Sequence, residues 1–129
     1  MKIKQSEATK AYKALKKLNF QEVSCATAYN IFTMLSDLQP LWDFQIQEER
    51  KIIEKHPKLD LVTGTIKMEN DSEKESAIKE AEEIGKEFEA LRDMEQEVNL
   101  IPFEIDTTQE SLKISADDIK ALQGFVTFK

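Results

Sequence analysis

The longest amphipathic pattern in the chain extends from Gln21 to His56. Its apolar positions recur in steps of three and four residues, which places them on one stripe of an α-helix. These positions are Val23, Ala28, Ile31, Phe32, Leu35, Leu38, Trp42, Ile52 and Ile53. A second stripe, with a spacing of about 3.5 residues, lies between Glu73 and Val98. Because each stripe has to be buried against another surface, the two segments are predicted to form an antiparallel hairpin of long helices.

The centre of the predicted core lies where the two helices face each other at similar distances from the connecting turn. The residues expected to meet there are Leu35, Leu38 and Trp42 of the first helix and Ile84, Phe88 and Leu91 of the second. Gly85 lies inside the second helix, where it costs about 1 kcal/mol relative to alanine. We expect it to let a bulky side chain, such as Phe32 or Trp42, approach closely.

Pro40 interrupts the first long helix in the sequence. Proline inside a helix removes one hydrogen bond and clashes with the preceding turn. Either the helix kinks at residues 38–40 and continues, or it stops at residues 36–37 and restarts with Pro40 in its first turn. Because the apolar stripe continues through Trp42, the kink is favoured.

Shorter elements are predicted before the hairpin and at its tip. A short strand at residues 2–4 and an N-cap at Ser6 precede a helix over residues 7–18, whose outer face is rich in lysine. At the tip, two segments of alternating polarity flank Gly64, which predicts a small β-hairpin over residues 59–68.

The pattern changes again in the C-terminal part of the chain. Residues 98–105 are predicted to be extended, and Pro102 restricts them to an edge strand or to a strap lying over the helices. Ser115 is the expected N-cap of a short helix that ends at Gly124. The apolar residues 125–128 are expected to be docked on the core.

The predicted fold class is therefore mainly α. Its parts are an antiparallel long-helix hairpin, a short N-terminal helix, a small β-hairpin at the tip, and a short C-terminal helix with an extended strap. Residues 1–129 are expected to form a single helical domain. Within it, residues 1–20 form the basic helix, residues 21–98 the helical hairpin, and residues 99–129 the strap and short helix.

Composition restricts the classes of protein that remain. The net charge of −7 argues against broad, non-specific binding of nucleic acid, which needs a basic surface. Cys25 is the only cysteine, so no intramolecular disulfide can form. The chain has no signal-peptide pattern and no apolar run of about 18 residues, the length expected of a membrane-spanning helix. We therefore expect a protein of a reducing cytoplasm, with no membrane partner.

The sequence lacks the motifs that indicate catalysis, phosphate binding or metal binding. His56 is the only histidine, and it lies 31 positions from Cys25 along the same predicted helix, too far for a Cys-His dyad. Cys25 is therefore expected to be a small buried residue, and His56 a residue favoured by the dipole at a helix C-terminus. The sequence contains no Glu-x-x-His pair, phosphate-binding loop or nucleophile elbow. No catalytic, cofactor-binding or metal-ligating residue is predicted.

Charge is distributed unevenly along the chain. Residues 1–20 carry six lysines and one acid, whereas residues 69–97 carry twelve acids and four basic residues. The candidate partner surface consists of Lys10, Lys13, Lys17, Glu80, Glu83 and Glu87. The two sets of charges could pair within one chain or stay solvated, or they could meet a protein partner, including a second copy in a homo-oligomer.

The order of elements resembles a family of small proteins encoded by phages and prophages of Gram-positive bacteria. The resemblance covers nearly the whole chain, from the basic start at residues 1–4 to the acidic helix that ends at residues 95–98. Its most specific part is the pattern Ile-Ser-x-x-Asp-Ile-x-Ala-Leu over residues 114–122. The resemblance implies a role in virion assembly or in handling the host, in the host cytoplasm or in the virion. The alternative is a small inhibitor or adaptor that binds a host or defence protein through the acidic helix.

Overall fold

The computed structural model describes residues 1–129 and is mainly helical, with four helices and two small strand pairs. In chain order the elements are β1 (Lys2–Lys4), α1 (Gln5–Asn19), α2 (Cys25–Lys55), α3 (Lys74–Asp93), β2 (Glu95–Glu97), β3 (Phe103–Ile105), α4 (Ala116–Ala121) and β4 (Val126–Phe128). A 3-10 turn at Asp71–Glu73 leads into α3. None of the helices combines the length and the apolar character needed to cross a bilayer.

The N-terminal strand leads into α1 without a loop. The predicted N-cap at Ser6 is therefore wrong, because the helix already begins at Gln5 and Lys4 occupies the cap position. The backbone N–H of Lys4 donates a hydrogen bond of 3.1 Å to Glu7 Oε1. This bond satisfies a backbone group that the start of a helix otherwise leaves free.

Strands β1 and β2 pair antiparallel and join the first residues of the chain to the segment that follows α3. The register places Lys2 opposite Glu97 and Lys4 opposite Glu95. Opposite charges at facing positions favour this pairing. Ile3, between the two lysines, is buried in the core.

Helix α2 is continuous through Pro40, so the alternative in which the helix stops at residues 36–37 is wrong. It begins at Cys25, later than the predicted Gln21, and the Ser24 side chain accepts a hydrogen bond of 3.3 Å from the Thr27 N–H. Cys25 is exposed, which contradicts its predicted burial. Cys25 is the first residue of α2, and the buried positions of this helix begin at Thr27.

The main core forms between α1, the first half of α2 and the C-terminal segment. Its fully buried residues include Leu15, Leu18 and Leu38. Burying a leucine side chain stabilises the fold by about 1.5–3 kcal/mol. Trp42 stacks on Tyr12, with ring centroids 4.6 Å apart and planes 15° from parallel. The apolar stripe of α2 is therefore covered chiefly by α1.

A smaller cluster joins the second half of α2 to α3. Its buried members are Ile52, Ile66, Ile84 and Leu91, and Phe88 packs beside them. Leu35 and Leu38 belong to the main core instead, and Trp42 packs there against Tyr12, so the predicted centre of the core is wrong. The physical reason is that α1 occupies the surface of α2 on which α3 was expected.

Gly85 has no close neighbour. A Cβ atom built at this position would meet nothing within 4 Å, so the predicted approach of Phe32 or Trp42 does not occur. The Phe32 side chain is instead 62% exposed. Gly85 lies on the solvent-facing side of α3.

The predicted β-hairpin at the tip is reduced to a single antiparallel bridge between Leu59 and Ile66. Asp60 Oδ1 accepts hydrogen bonds from the backbone N–H groups of Val62 and Thr63, at 2.9 and 3.3 Å. These bonds hold the segment in a turn, which competes with an extended strand.

The C-terminal segment is docked on the main core, as predicted. Ser115 caps α4 by accepting a hydrogen bond of 3.1 Å from the Asp118 N–H. Strand β4 then pairs in parallel with β3, and Phe125 and Val126 are buried. This arrangement brings α4 against α1 and creates the groove described next.

Candidate partner surfaces

A groove with a volume of about 670 Å³ lies between α1 and α4. The three lysines predicted as a partner surface, Lys10, Lys13 and Lys17, line one side of it. Their spacing of three and four residues places them on one face of α1, away from the buried face that carries Leu15. We call these three residues the lysine stripe.

The lysine stripe is only partly neutralised within the chain. Lys17 Nζ lies 3.2 Å from Asp118 Oδ1, in an ion pair in which the lysine side chain stays 66% exposed. Lys13 Nζ lies 5.8 Å from the centre of the Trp42 ring, a distance at which cation and ring attract. Lys10 forms no ion pair.

The far side of the groove belongs to α4 and was missed by sequence reasoning. Lys120 adds a fourth positive charge there, and Asp117 adds a negative one beside Asp118. The sequence pattern that could have indicated this side of the groove was the predicted short helix after Ser115. Its position against α1, however, depends on the parallel pairing of β3 and β4, which the residue pattern did not predict.

The three predicted glutamates of α3 do not share one environment. Glu83 is exposed, whereas Glu80 and Glu87 are partly buried beside His56. The structure therefore divides the acidic half of the predicted surface. Only Glu83 remains available to a partner without disturbing contacts within the chain.

His56 connects the end of α2 to α3. Its side chain is 11% exposed, and Nδ1 lies 2.9 Å from Glu80 Oε1, which makes Nδ1 the donor to that carboxylate. Nε2 lies 3.5 Å from Glu87 Oε2, and neither atom has a hydrogen-bond partner. Lys55 Nζ lies 3.9 Å from the other oxygen of Glu87. We infer a role for His56 in holding the two helices together.

The solvent-facing side of α3 presents a different set of charges, which sequence reasoning also missed. Glu75, Glu82 and Glu89 recur every seven residues and are exposed, and the exposed lysines Lys79 and Lys86 follow the first two of them at a distance of four residues. We call these five residues the α3 outer face. The seven-residue repeat was visible in the sequence. Which repeat faces solvent depends on how α3 packs on α2.

No ion pair joins the lysine stripe to α3 within the chain. The ion pair of Lys17 is with α4, and those of Glu80 and Glu87 are with the end of α2. Of the alternatives left open by the sequence, pairing between the helix surfaces of α1 and α3 is therefore wrong. Both surfaces remain open to solvent.

Comparison with known proteins identified no relative of this chain. No protein-family model, no curated protein and no solved structure matches the chain. The resemblance to phage and prophage proteins therefore stays a prediction. The structure also brings together no group of three or more His, Cys, Asp or Glu side chains suited to a metal ion.

Proposed function

We propose that this chain is a non-enzymatic phage or prophage protein that acts by protein–protein contact, as a virion component or an assembly factor. The observation that supports the proposal is the lysine stripe, whose three positive charges share one face of α1 and are only partly neutralised within the chain. The phage context rests on the sequence resemblance. In that context the protein acts in the bacterial cytoplasm and enters the virion or an assembly intermediate.

The energetic cost of such surfaces favours a partner. Like charges three or four residues apart on a helix destabilise it by about 0.2–0.5 kcal/mol per pair. Lys10, Lys13 and Lys17 form two such pairs. A partner of opposite charge would offset this repulsion, and it would also steer the encounter and fix the register.

Mass spectrometry of purified virions and of assembly intermediates tests the proposal. We expect peptides of this chain in at least one of the two preparations, at a constant ratio to a known structural protein. Absence from both would contradict an assembly role. A variant in which Lys10 and Lys17 are replaced by glutamate should be depleted from the same preparations.

The alternative function is a small inhibitor or adaptor that binds a host or defence protein through α3. The exposed side chains of Glu82, Glu83 and Glu89 favour it, because an acidic surface can occupy a site that normally holds nucleic acid. Early expression during infection, separate from the structural genes, would be consistent with this function.

Affinity purification from host lysate distinguishes the alternative. We expect one stoichiometric host protein whose capture is lost in the triple variant Glu82→Lys, Glu83→Lys and Glu89→Lys. Glu80 and Glu87 are left unchanged because they contact His56. The matched control reverses the exposed acids Glu22, Asp37 and Glu54. Equal loss in both variants would contradict specific binding through α3.

A further inference from the structure

We propose that His56, Glu80 and Glu87 form a pH-dependent clamp between the end of α2 and α3. The clamp tightens when one proton is taken up between His56 Nε2 and Glu87 Oε2, and it loosens when that proton is released. It goes beyond the proposed function, because it controls how easily α3 separates from α2 in the chain alone.

The hydrogen bond at Nδ1 determines which ring nitrogen carries the proton in the neutral imidazole. Nδ1 lies 2.9 Å from Glu80 Oε1 and donates to that carboxylate, so Nε2 of the neutral ring holds a lone pair and no proton. Glu87 Oε2, 3.5 Å from Nε2, is also an acceptor. Both atoms are buried, and neither has another hydrogen-bond partner. In the neutral state, therefore, two buried acceptors face each other without a donor between them.

One added proton removes this conflict. Both nitrogens of an imidazolium ring are donors, so Nε2 can donate to Glu87 while Nδ1 keeps its bond to Glu80. A hydrogen bond between charged groups is about twice as strong as one between neutral groups. Histidine is the side chain that gains or loses its proton between about pH 5 and pH 8. His56 is the only histidine of the chain, so this contact alone can use it.

The two carboxylates of α3 are the charges nearest to the ring, and an opposite charge at such a distance favours the protonated form. On the ring's own helix, Lys55 Nζ lies 3.9 Å from Glu87 Oε1 and offsets part of that negative charge. The segment between the helices places three further charged groups around a cavity beside Glu80, and none of them forms an ion pair with it: Lys58, Lys67 and Glu73.

The contact that the clamp holds contains little apolar surface. Four buried residues form the cluster between α2 and α3, whereas seventeen form the main core. A region with few buried contacts opens more easily than the rest of the molecule. A proton held by the closed contact and released on opening stabilises the contact at low pH, and this contribution is lost as the pH rises. We therefore expect α3 to be held more firmly at about pH 5.5 than at about pH 8.

Hydrogen exchange of the full chain, expressed as protection factors that correct for the intrinsic effect of pH, tests the clamp. Between about pH 8 and about pH 5.5, protection in α3 should rise about tenfold, whereas protection in α1 should stay constant. The amino group of Met1 pairs with Glu97, outside this contact, so its titration would affect β1 and β2 instead.

Glu87→Gln is the decisive variant, because its amide N–H can donate to the unprotonated Nε2. Protection of α3 in this variant should be the same at both pH values, and at about pH 8 it should exceed that of the unmodified chain. The matched control Glu83→Gln removes an exposed charge from the same helix and should keep the tenfold change. Circular dichroism verifies that each variant is folded.

Long-range ¹H–¹⁵N NMR of the imidazole adds a measurement that a merely structural contact would not change. The ring should carry its proton on Nδ1 at about pH 8 and on both nitrogens at about pH 5.5. At one intermediate pH, the ring should be less protonated in Glu87→Gln than in the unmodified chain.

Protection of α3 that does not change with pH would overturn the proposal, as would an equal change in Glu87→Gln or equal protonation of the ring in both proteins. None of these results would contradict the proposed function. That proposal is decided by mass spectrometry of virions and assembly intermediates.

Discussion

At the scale of single residues, Glu110 is the clearest long-range cap. It lies between β3 and α4, yet it accepts hydrogen bonds at the start of α2 from the Ser24 N–H at 3.1 Å and from Thr27 Oγ1 at 2.9 Å. Helix α2 has no acidic residue in its own first turn. Glu110 supplies the negative charge that the positive end of the helix favours. Hydrogen bonds from Ser24 and then Thr27 hold the pKa of Glu110 below its usual value of 4.5.

The variant Glu110→Gln should lower the Tm at neutral pH by a few degrees, because the amide is uncharged. A carboxyl group whose pKa is lowered by folding contributes its stability above the ordinary pKa of about 4.5, and that contribution is lost as the pH falls through the folded pKa. Thermal unfolding between about pH 5 and pH 3 should therefore show the unmodified protein losing its advantage over the variant. A constant difference in Tm across this range would contradict the assignment.

His56 gives a second prediction at this scale. His56→Ala should lower the free energy of unfolding of the α2–α3 contact by about 1–3 kcal/mol, because Glu80 loses its donor while partly buried. Hydrogen exchange should become faster in α3 and in the last turn of α2, with little change in α1. His56→Gln keeps an N–H donor and should restore part of the protection. No difference between the alanine variant and the unmodified chain would exclude this role.

At the scale of elements, the hydrophobic pattern predicts where helices form, but it does not predict which elements pack against them. The periodicity predicted the continuous course of α2 past Pro40, because a stripe that resumes after a proline indicates one helix. It could not predict that α1 covers Leu38, since a stripe shows that a face is buried and not against which element. Pairing at the tip is limited to one bridge because Asp60 binds backbone N–H groups that a longer strand would use.

The division between the two clusters predicts unequal effects of core substitutions. Leu38→Ala should cost about 2–5 kcal/mol, because Leu38 is fully buried in the main core. Phe88→Ala should cost less, because Phe88 is partly exposed beside the smaller cluster. Denaturant unfolding followed by Trp42, the only tryptophan, measures both changes. A larger effect of Phe88→Ala would place the main core between α2 and α3 after all, and Glu89→Ala serves as the exposed control.

At the scale of the whole molecule, the uneven charge along the sequence becomes a division between surfaces. Long helices made the lysine stripe predictable, because its three- and four-residue spacing determines a shared face. The glutamates were harder to assign, since the choice between Glu80 and Glu82 as the exposed residue depends on the rotation of α3 against α2. The groove beside α4 depends on the pairing of β3 with β4, which no local pattern specifies.

The central claim is that the lysine stripe contacts another protein and does not pair with α3 within one chain. Zero-length carbodiimide cross-linking of purified assembly intermediates, read by mass spectrometry, tests it most directly. The ion pairs Lys17–Asp118 at 3.2 Å and Lys129–Glu104 at 2.9 Å serve as internal references within one chain.

We expect cross-links from Lys10 or Lys17 to acidic residues of another protein, and we expect them to disappear at high salt while the reference cross-links persist. Cross-links from Lys10 and Lys17 only to glutamates of α3 would show that α1 and α3 pair within the chain. That result would contradict the account.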